Sequence, residues 1–101
     1  MRINKIPKGG LRRIVREVIS SAKELGIELD CINADWWDQS PEKIGSVIFE
    51  TKNELVRVNY FNTEREVHFC DTKRGESKLV DTIYRRICMN QPSLSPTYRI
   101  H

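Results

Sequence analysis

Residues 47–70, VIFETKNELVRVNYFNTEREVHFC, determine the fold class because apolar side chains occupy every second position in three consecutive runs. These apolar residues are Val47, Phe49, Val56, Val58, Tyr60, Val67 and Phe69. A period of two is typical of strands with one buried face, and the runs are rich in β-branched and aromatic residues. The segment therefore predicts an antiparallel meander.

The register of this meander is testable, because a slip of one residue would mix apolar and polar side chains on each face. A turn at residues 52–53 pairs Val58 with Val47, and a turn at residues 63–64 pairs it with Phe69. Residues 63–64 lack the Gly or Asn that the tightest hairpin turns prefer, so a longer loop or a bulge remains open there. The opposite sheet face is predicted to carry Ser46, Asn59 and His68 in one row, Ile48, Arg57 and Cys70 in the next, and Phe61 opposite Glu66.

Amphipathic helices are predicted on both sides of the meander. Between Leu11 and Leu25 apolar residues recur at helical spacing, and Gly26 follows as a suitable C-terminal glycine. Ser77 is a suitable N-cap for a second helix, whose apolar side carries Val80, Ile83, Tyr84 and Ile87. Both helices need the apolar sheet face, which predicts an α+β fold in two layers: helix, three or four antiparallel strands, helix, with both helices on one sheet face.

The remaining segments are less regular. Three apolar residues between positions 27 and 31 alternate with acids and predict a short strand with one solvated face. Residues 33–43 contain turn residues, a Pro and two Trp, and they follow neither period, which predicts a loop. We expect residues 1–90 to form a single domain and residues 91–101, with two Pro, to be an irregular or disordered tail.

Composition restricts the class of protein. The chain has 101 residues, 39% hydrophobic and 31% charged, which suits one folded domain. No apolar run is long enough to cross a bilayer and the N-terminus lacks the apolar region of a signal peptide, so we expect a cytoplasmic protein without a membrane partner. Its three Cys have no CxxC spacing, which predicts reduced thiols, no structural metal and no cofactor.

Charge is distributed unevenly along the chain. Residues 1–23 hold seven basic residues and one acid, whereas residues 24–42 hold six acids and no Lys or Arg. Basic residues around the starts of the two predicted helices are candidates for binding nucleic-acid phosphates: Arg12, Arg13, Arg16, Lys73, Arg74 and Lys78. An ordinary solvated helix face is the alternative. In element order, with Gly75-Glu76-Ser77-Lys78 opening the second helix, the chain resembles double-stranded RNA-binding domains, a resemblance that implies phosphate contacts at that helix start.

The acidic segment offers a different kind of surface. Its candidate protein-binding residues are Asp35, Trp36, Trp37 and Asp38. Two adjacent Trp in an extended loop can hardly both be buried, and an exposed Trp suits a partner protein or a second copy of the chain. Folding of one or both Trp over the core is the equal alternative.

No catalytic residue is predicted. His68 and Cys70 share a strand face but lack a third group, and we expect them to be solvated. The Glu50-Thr51-Lys52 string fits a metal-nuclease pattern but falls at a hairpin turn. We therefore expect a non-enzymatic binding or regulatory domain with nucleic acid as the favoured ligand. A protein-interaction module or inhibitor is the alternative, and a small metal-dependent nuclease comes third.

Overall fold

A computed structural model describes residues 2–3, 10–38, 43–62, 64–70, 72, 75–90 and 95–98. The elements in chain order are β1 (Arg2–Ile3), α1 (Gly10–Leu25), β2 (Leu29–Asp38), β3 (Ile44–Thr51), β4 (Leu55–Phe61), β5 (Glu66–Cys70), α2 (Lys78–Asn90) and β6 (Ser95–Tyr98). The strands form one sheet in the order β1-β2-β3-β4-β5-β6. Strands β2 to β5 are antiparallel, and the short strands β1 and β6 pair parallel to β2 and β5 at the two edges.

The predicted meander is confirmed residue by residue. Val58 pairs with Val47 on β3 and with Phe69 on β5, and the polar rows of the opposite face align as expected. The last pair of the second hairpin joins Phe61 to Glu66, which leaves a four-residue connection. Arg65 within it has φ 54°, so the longer turn is closed by a residue in the left-handed region.

Both predicted helices are confirmed, together with the signals that bound them. At the end of α1, the Gly26 amide donates to the Lys23 carbonyl and the Ile27 amide to the Ala22 carbonyl. This is the pattern of a glycine C-cap, and Gly26 adopts the φ of 67° that it requires.

Helix α2 is capped by Ser77. The Ser77 hydroxyl oxygen accepts a hydrogen bond from the Val80 amide at 3.1 Å, and the hydroxyl donates to Glu54 at 3.0 Å. The cap therefore also ties the start of α2 to the β3–β4 turn.

Ser77→Ala is expected to lower the free energy of unfolding by about 1 to 2 kcal/mol, because one substitution removes both the cap and the Glu54 contact. Ser77→Thr keeps a hydroxyl at the same position and is the matched control. Urea denaturation of the two variants measures the difference. Equal losses in both would contradict the capping role.

The core lies between the helices and one face of the sheet, which confirms the two-layer α+β prediction. It joins Leu11, Ile14, Val15 and Val18 of α1 and Leu79, Val80, Ile83 and Ile87 of α2 with the apolar residues of the meander. Within the described residues, no helix combines the length and the apolar character needed to cross a membrane.

Two predictions about the irregular segments are wrong. Residues 33–38 are not a loop but continue β2, whose pairing with β3 shifts register between Leu29 and Cys31 and again between Trp36 and Asp38. Each shift adds an unpaired residue, and this breaks the period of two that the prediction relied on. The C-terminal tail is not irregular throughout, since Ser95–Tyr98 forms β6 on the sheet edge, where a Pro is tolerated.

Candidate functional site

Helix α1 carries an exposed row of cations. Arg12, Arg13 and Arg16 lie in its first two turns and Lys23 in its last, all exposed to solvent. The spacing from Arg12 to Arg16 and Lys23 keeps these side chains on one side of the helix. We call Arg12, Arg13, Arg16 and Lys23 the basic stripe.

The two acids of α1 are paired with the second helix. Glu17 accepts a hydrogen bond from Arg86 of α2 at 3.2 Å. Glu24 lies 3.8 Å from Arg85 and 3.7 Å from Arg86. Both acids of the helix are thus paired with α2, and no described acid lies within ion-pair distance of the basic stripe. Arg12, Arg16 and Lys23 therefore lie on a cationic side of the helix, whereas Arg13 lies between that side and the paired acids.

The second predicted basic group does not join the stripe. Lys78 is exposed at the start of α2, which Ser77 ties to Glu54 in the β3–β4 turn. The start of α1 lies instead against the Tyr60 ring, near the far end of β4. The two helix starts are therefore at opposite ends of the sheet. Lys73 and Arg74 lie outside the described residues.

The two Trp residues point to opposite sides of β2. Trp36 packs against the core, and its ring makes an edge contact with Tyr60 at a centroid distance of 5.8 Å. Trp37 lies on the open sheet face and is 60% exposed. Asp35 is exposed on that same face, while the side chain of Asp38 lies outside the described part of the chain. Each of the two alternatives that the sequence left open therefore holds for one residue: Trp36 is folded over the core and Trp37 is exposed.

An open groove of about 540 Å³ lies beside Trp37 on the sheet face without helices. Three adjacent strands supply its lining: Asn33, Asp35, Trp37, Ser46, Ile48, Arg57 and Asn59. The register explains the grouping, since Asp35 pairs with Ser46 and Ser46 with Asn59, while Asn33 and Arg57 both pair with Ile48. Among the described residues, the groove combines an aromatic ring, one aliphatic side chain, one hydroxyl, two amides and one charge of each sign.

A chain of hydrogen bonds fixes the Trp37 ring across the strands. Its Nε1–H donates to Ser46 Oγ at 2.9 Å, and the Ser46 hydroxyl donates to Asn59 Oδ1 at 2.7 Å. The Asn59 amide then donates to Cys70 Sγ at 3.3 Å. Hydrogen bonds linked in this way polarise one another and favour one arrangement of the ring.

The expected solvation of His68 and Cys70 is wrong. Both are on the predicted sheet face, but His68 is 4% exposed and Cys70 is 2% exposed. The Phe61 ring lies over His68 at a centroid distance of 4.5 Å, and Glu66 Oε2 lies 2.8 Å from His68 Nε2. The Phe61 ring thus covers His68, and the Cys70 thiol accepts a hydrogen bond from the Asn59 amide. Within the described ranges, no three His, Cys, Asp or Glu residues lie together as a metal site would need.

The groove was missed at the sequence level because residues 33–38 were expected to be a loop. The signal was present, since Ile32, Ala34 and Trp36 alternate with Asn33, Asp35 and Trp37 at a period of two. The register shift before Cys31 separated that run from the apolar residues preceding it. Comparison of the chain with protein family models, with curated proteins and with solved structures finds no match.

Proposed function

We propose that this protein is a non-enzymatic nucleic-acid-binding domain that contacts phosphates through the basic stripe of helix α1. The observation that carries the proposal is the exposure of the α1 cations: ion pairs to α2 occupy both acids of the helix, whereas all four cations of the stripe face solvent. Unpaired Lys and Arg side chains release counterions when they neutralise phosphates, which is the main source of affinity in sequence-independent binding.

The dimensions of the stripe suit a phosphate backbone. A helix rises 1.5 Å per residue, so Arg12 and Lys23 are separated by about 16 Å along the axis. Phosphates of one duplex strand follow each other at about 3.4 Å along the duplex axis, but the strand winds around that axis, so a straight stripe contacts only those phosphates on the side that faces it. A straight helix can therefore contact these phosphates of one strand without bending.

The position of the arginines also favours a role in binding. Arg12 and Arg13 lie in the first turn of α1, where the positive end of the helix dipole disfavours cations, and that turn holds no acid. Helix stability alone would select Asp or Glu there. Binding of an anion at this end of the helix accounts for cations that otherwise cost stability.

The test is a variant in which binding and stability are expected to change in opposite directions. Replacement of Arg12 and Arg13 by Glu should raise the free energy of unfolding by about 0.3 to 1 kcal/mol, mainly through position 12, because a Glu at position 13 also meets the like charge of Glu17 four residues later. The same variant should weaken binding of a 12-nucleotide oligonucleotide on the order of 10-fold per lost contact at 0.1 M salt. Fluorescence anisotropy and thermal unfolding measure the two quantities.

The matched control is Lys52→Glu combined with Lys78→Glu. It changes the net charge by the same amount and likewise places an acid at a helix start, but at the opposite end of the sheet. We expect it to bind at least 10-fold more tightly than the α1 variant. If both variants bind the oligonucleotide equally weakly, the loss of affinity is explained by net charge alone. That result would contradict a binding site on α1.

A further inference from the structure

The polar atom of the Trp37 ring, Nε1, already makes a hydrogen bond within the protein. Ser46 accepts the Nε1–H, so what the 60% exposed side chain offers a ligand is its flat face. The hydrogen-bond chain through Ser46 and Asn59 holds this face in place before a ligand arrives. A fixed, exposed aromatic face is suited to stacking against another flat ring.

The charges of the groove select for a neutral ligand group. Among the described residues, its lining holds one carboxylate, Asp35, and one guanidinium, Arg57, whose formal charges cancel. A phosphate or a lone ammonium group would meet one repulsive partner. A flat neutral group with donors and acceptors on its edge can hydrogen-bond to both charged groups and to the second N–H and second lone pair of the Asn59 amide, whose other sites bond Cys70 and Ser46.

The groove and the Arg12 end of the basic stripe lie at the same end of the sheet, on opposite faces of it. Leu11 and Trp36 both approach Gly45, with Leu11 next to Arg12 in the chain and Trp36 next to Trp37. A nucleic-acid strand that lies on Arg12 can therefore cross this end of the sheet and reach Trp37. Farther along the open face Glu50 repels phosphates, which restricts the backbone to the Trp37 end.

From these three features we infer that the groove binds one unpaired nucleobase, stacked on Trp37 with its edge toward Asn33, Asp35, Arg57 and Asn59. This inference rests on the proposed function. It makes the domain selective for single-stranded over fully paired nucleic acid, because a paired base cannot leave its stack to enter the groove without an energetic cost. Every base has a stacking face, so the preference for single strands tolerates many sequences.

The first experiment uses probes without phosphate. In the full chain carrying Trp36→Phe, Trp37 is the only Trp. Titration with adenosine, guanosine, cytidine and uridine is expected to quench its fluorescence, since the bases stack on the ring. If Trp36→Phe does not fold, the fluorescence of Trp37 is obtained by subtracting the signal of the Trp37→Ala variant from the signal of the parent protein.

The second experiment compares a 12-nucleotide single strand with a hairpin duplex containing the same sequence. Trp37→Ala is expected to weaken binding of the single strand by about 5- to 150-fold and to leave the hairpin unchanged. Trp37→Phe keeps a stacking ring and should retain most of the affinity. Leu55→Ala is the control, since Leu55 is 65% exposed on the same face but does not line the groove.

The outcomes separate this inference from the proposed function. If Trp37→Ala binds single strand and hairpin like the parent while the Arg12 and Arg13 variant loses both, the groove inference is overturned and the stripe is supported. Quenching by nucleosides without oligonucleotide binding supports the groove and overturns the proposed function. Self-association that Trp37→Ala abolishes, without any nucleoside signal, would assign the groove to a second copy of the chain and overturn the base site.

Discussion

Trp36→Ala is expected to lower the free energy of unfolding by about 2 to 3 kcal/mol, whereas Trp37→Ala changes it by about 0.5 kcal/mol or less. The side chain of Trp36 packs against the core and contacts the buried ring of Tyr60, so its removal leaves a cavity beside that ring. Trp37 lies on the solvated side of the same strand. Its loss exposes little that was buried.

The two variants control each other, because they make the same chemical change at adjacent positions. In thermal unfolding, Trp36→Ala is expected to lower the Tm by about 10 to 20 °C, since a domain of this size loses about 4 to 8 °C per kcal/mol. Trp37→Ala should unfold within a few degrees of the parent. Similar Tm values for both variants would contradict the assignment of the two rings to opposite sides of β2.

Gly45→Ala is expected to destabilise the protein by about 3 kcal/mol, toward the upper end of overpacking substitutions. A Cβ at this position would lie 2.6 Å from Leu11 Cδ1, 2.9 Å from the Asp35 carbonyl oxygen and 2.9 Å from Trp36 Cε3. The Leu11 side chain can move, but the Asp35 oxygen belongs to the paired backbone of β2. The added methyl group therefore has to push β2 or the Trp36 ring aside.

Ile48→Val is the control for this substitution, since Ile48 lies on the same strand but on the open face. It should leave the free energy of unfolding within about 0.5 kcal/mol of the parent. Urea denaturation gives the stability, and near-ultraviolet circular dichroism reports whether the Trp36 ring has moved. Parent-like stability of Gly45→Ala would mean that α1 does not pack this closely on β3.

The meander and the two helices could be predicted because each has a strict period and a local end signal. Val47, Val58 and Phe69 fix one register that satisfies both hairpins, and the structure has those pairs. Gly26 and Ser77 mark helix ends through hydrogen bonds that depend only on neighbouring residues. Periodicity and helix-end signals depend on residues that are close in the chain, so they can be recognised in a single sequence.

The rest of the sheet depends on contacts that are distant in the chain. The register shift next to Cys31 changes which residues face the core, so the alternation before it and the alternation after it do not form one continuous run. Strands β1 and β6 are 2 and 4 residues long and are stabilised by parallel pairing to β2 and β5, which no period reveals. Burial of His68 likewise depends on the Phe61 ring of the neighbouring strand.

The sequence predicts which residue types the candidate site contains, but not how the fold brings them together. The excess of cations near Arg12 is evident in the sequence, and the structure adds the pairing of Glu17 and Glu24 with α2. That pairing requires knowledge of which helix faces meet. Similarly, the groove beside Trp37 requires three strands in register, whereas the sequence left open whether either Trp is exposed.

The most direct test of the account is the salt dependence of nucleic-acid binding by the parent protein and by a variant in which Gln replaces both Arg12 and Arg13. With four phosphate contacts from the stripe, the logarithm of the association constant for a single-stranded 12-mer should fall against the logarithm of salt concentration with a slope of about −3. Loss of two contacts should flatten the slope by about 1.4. Identical slopes for the two proteins, or no binding by the parent at the lowest salt, would contradict phosphate binding by helix α1.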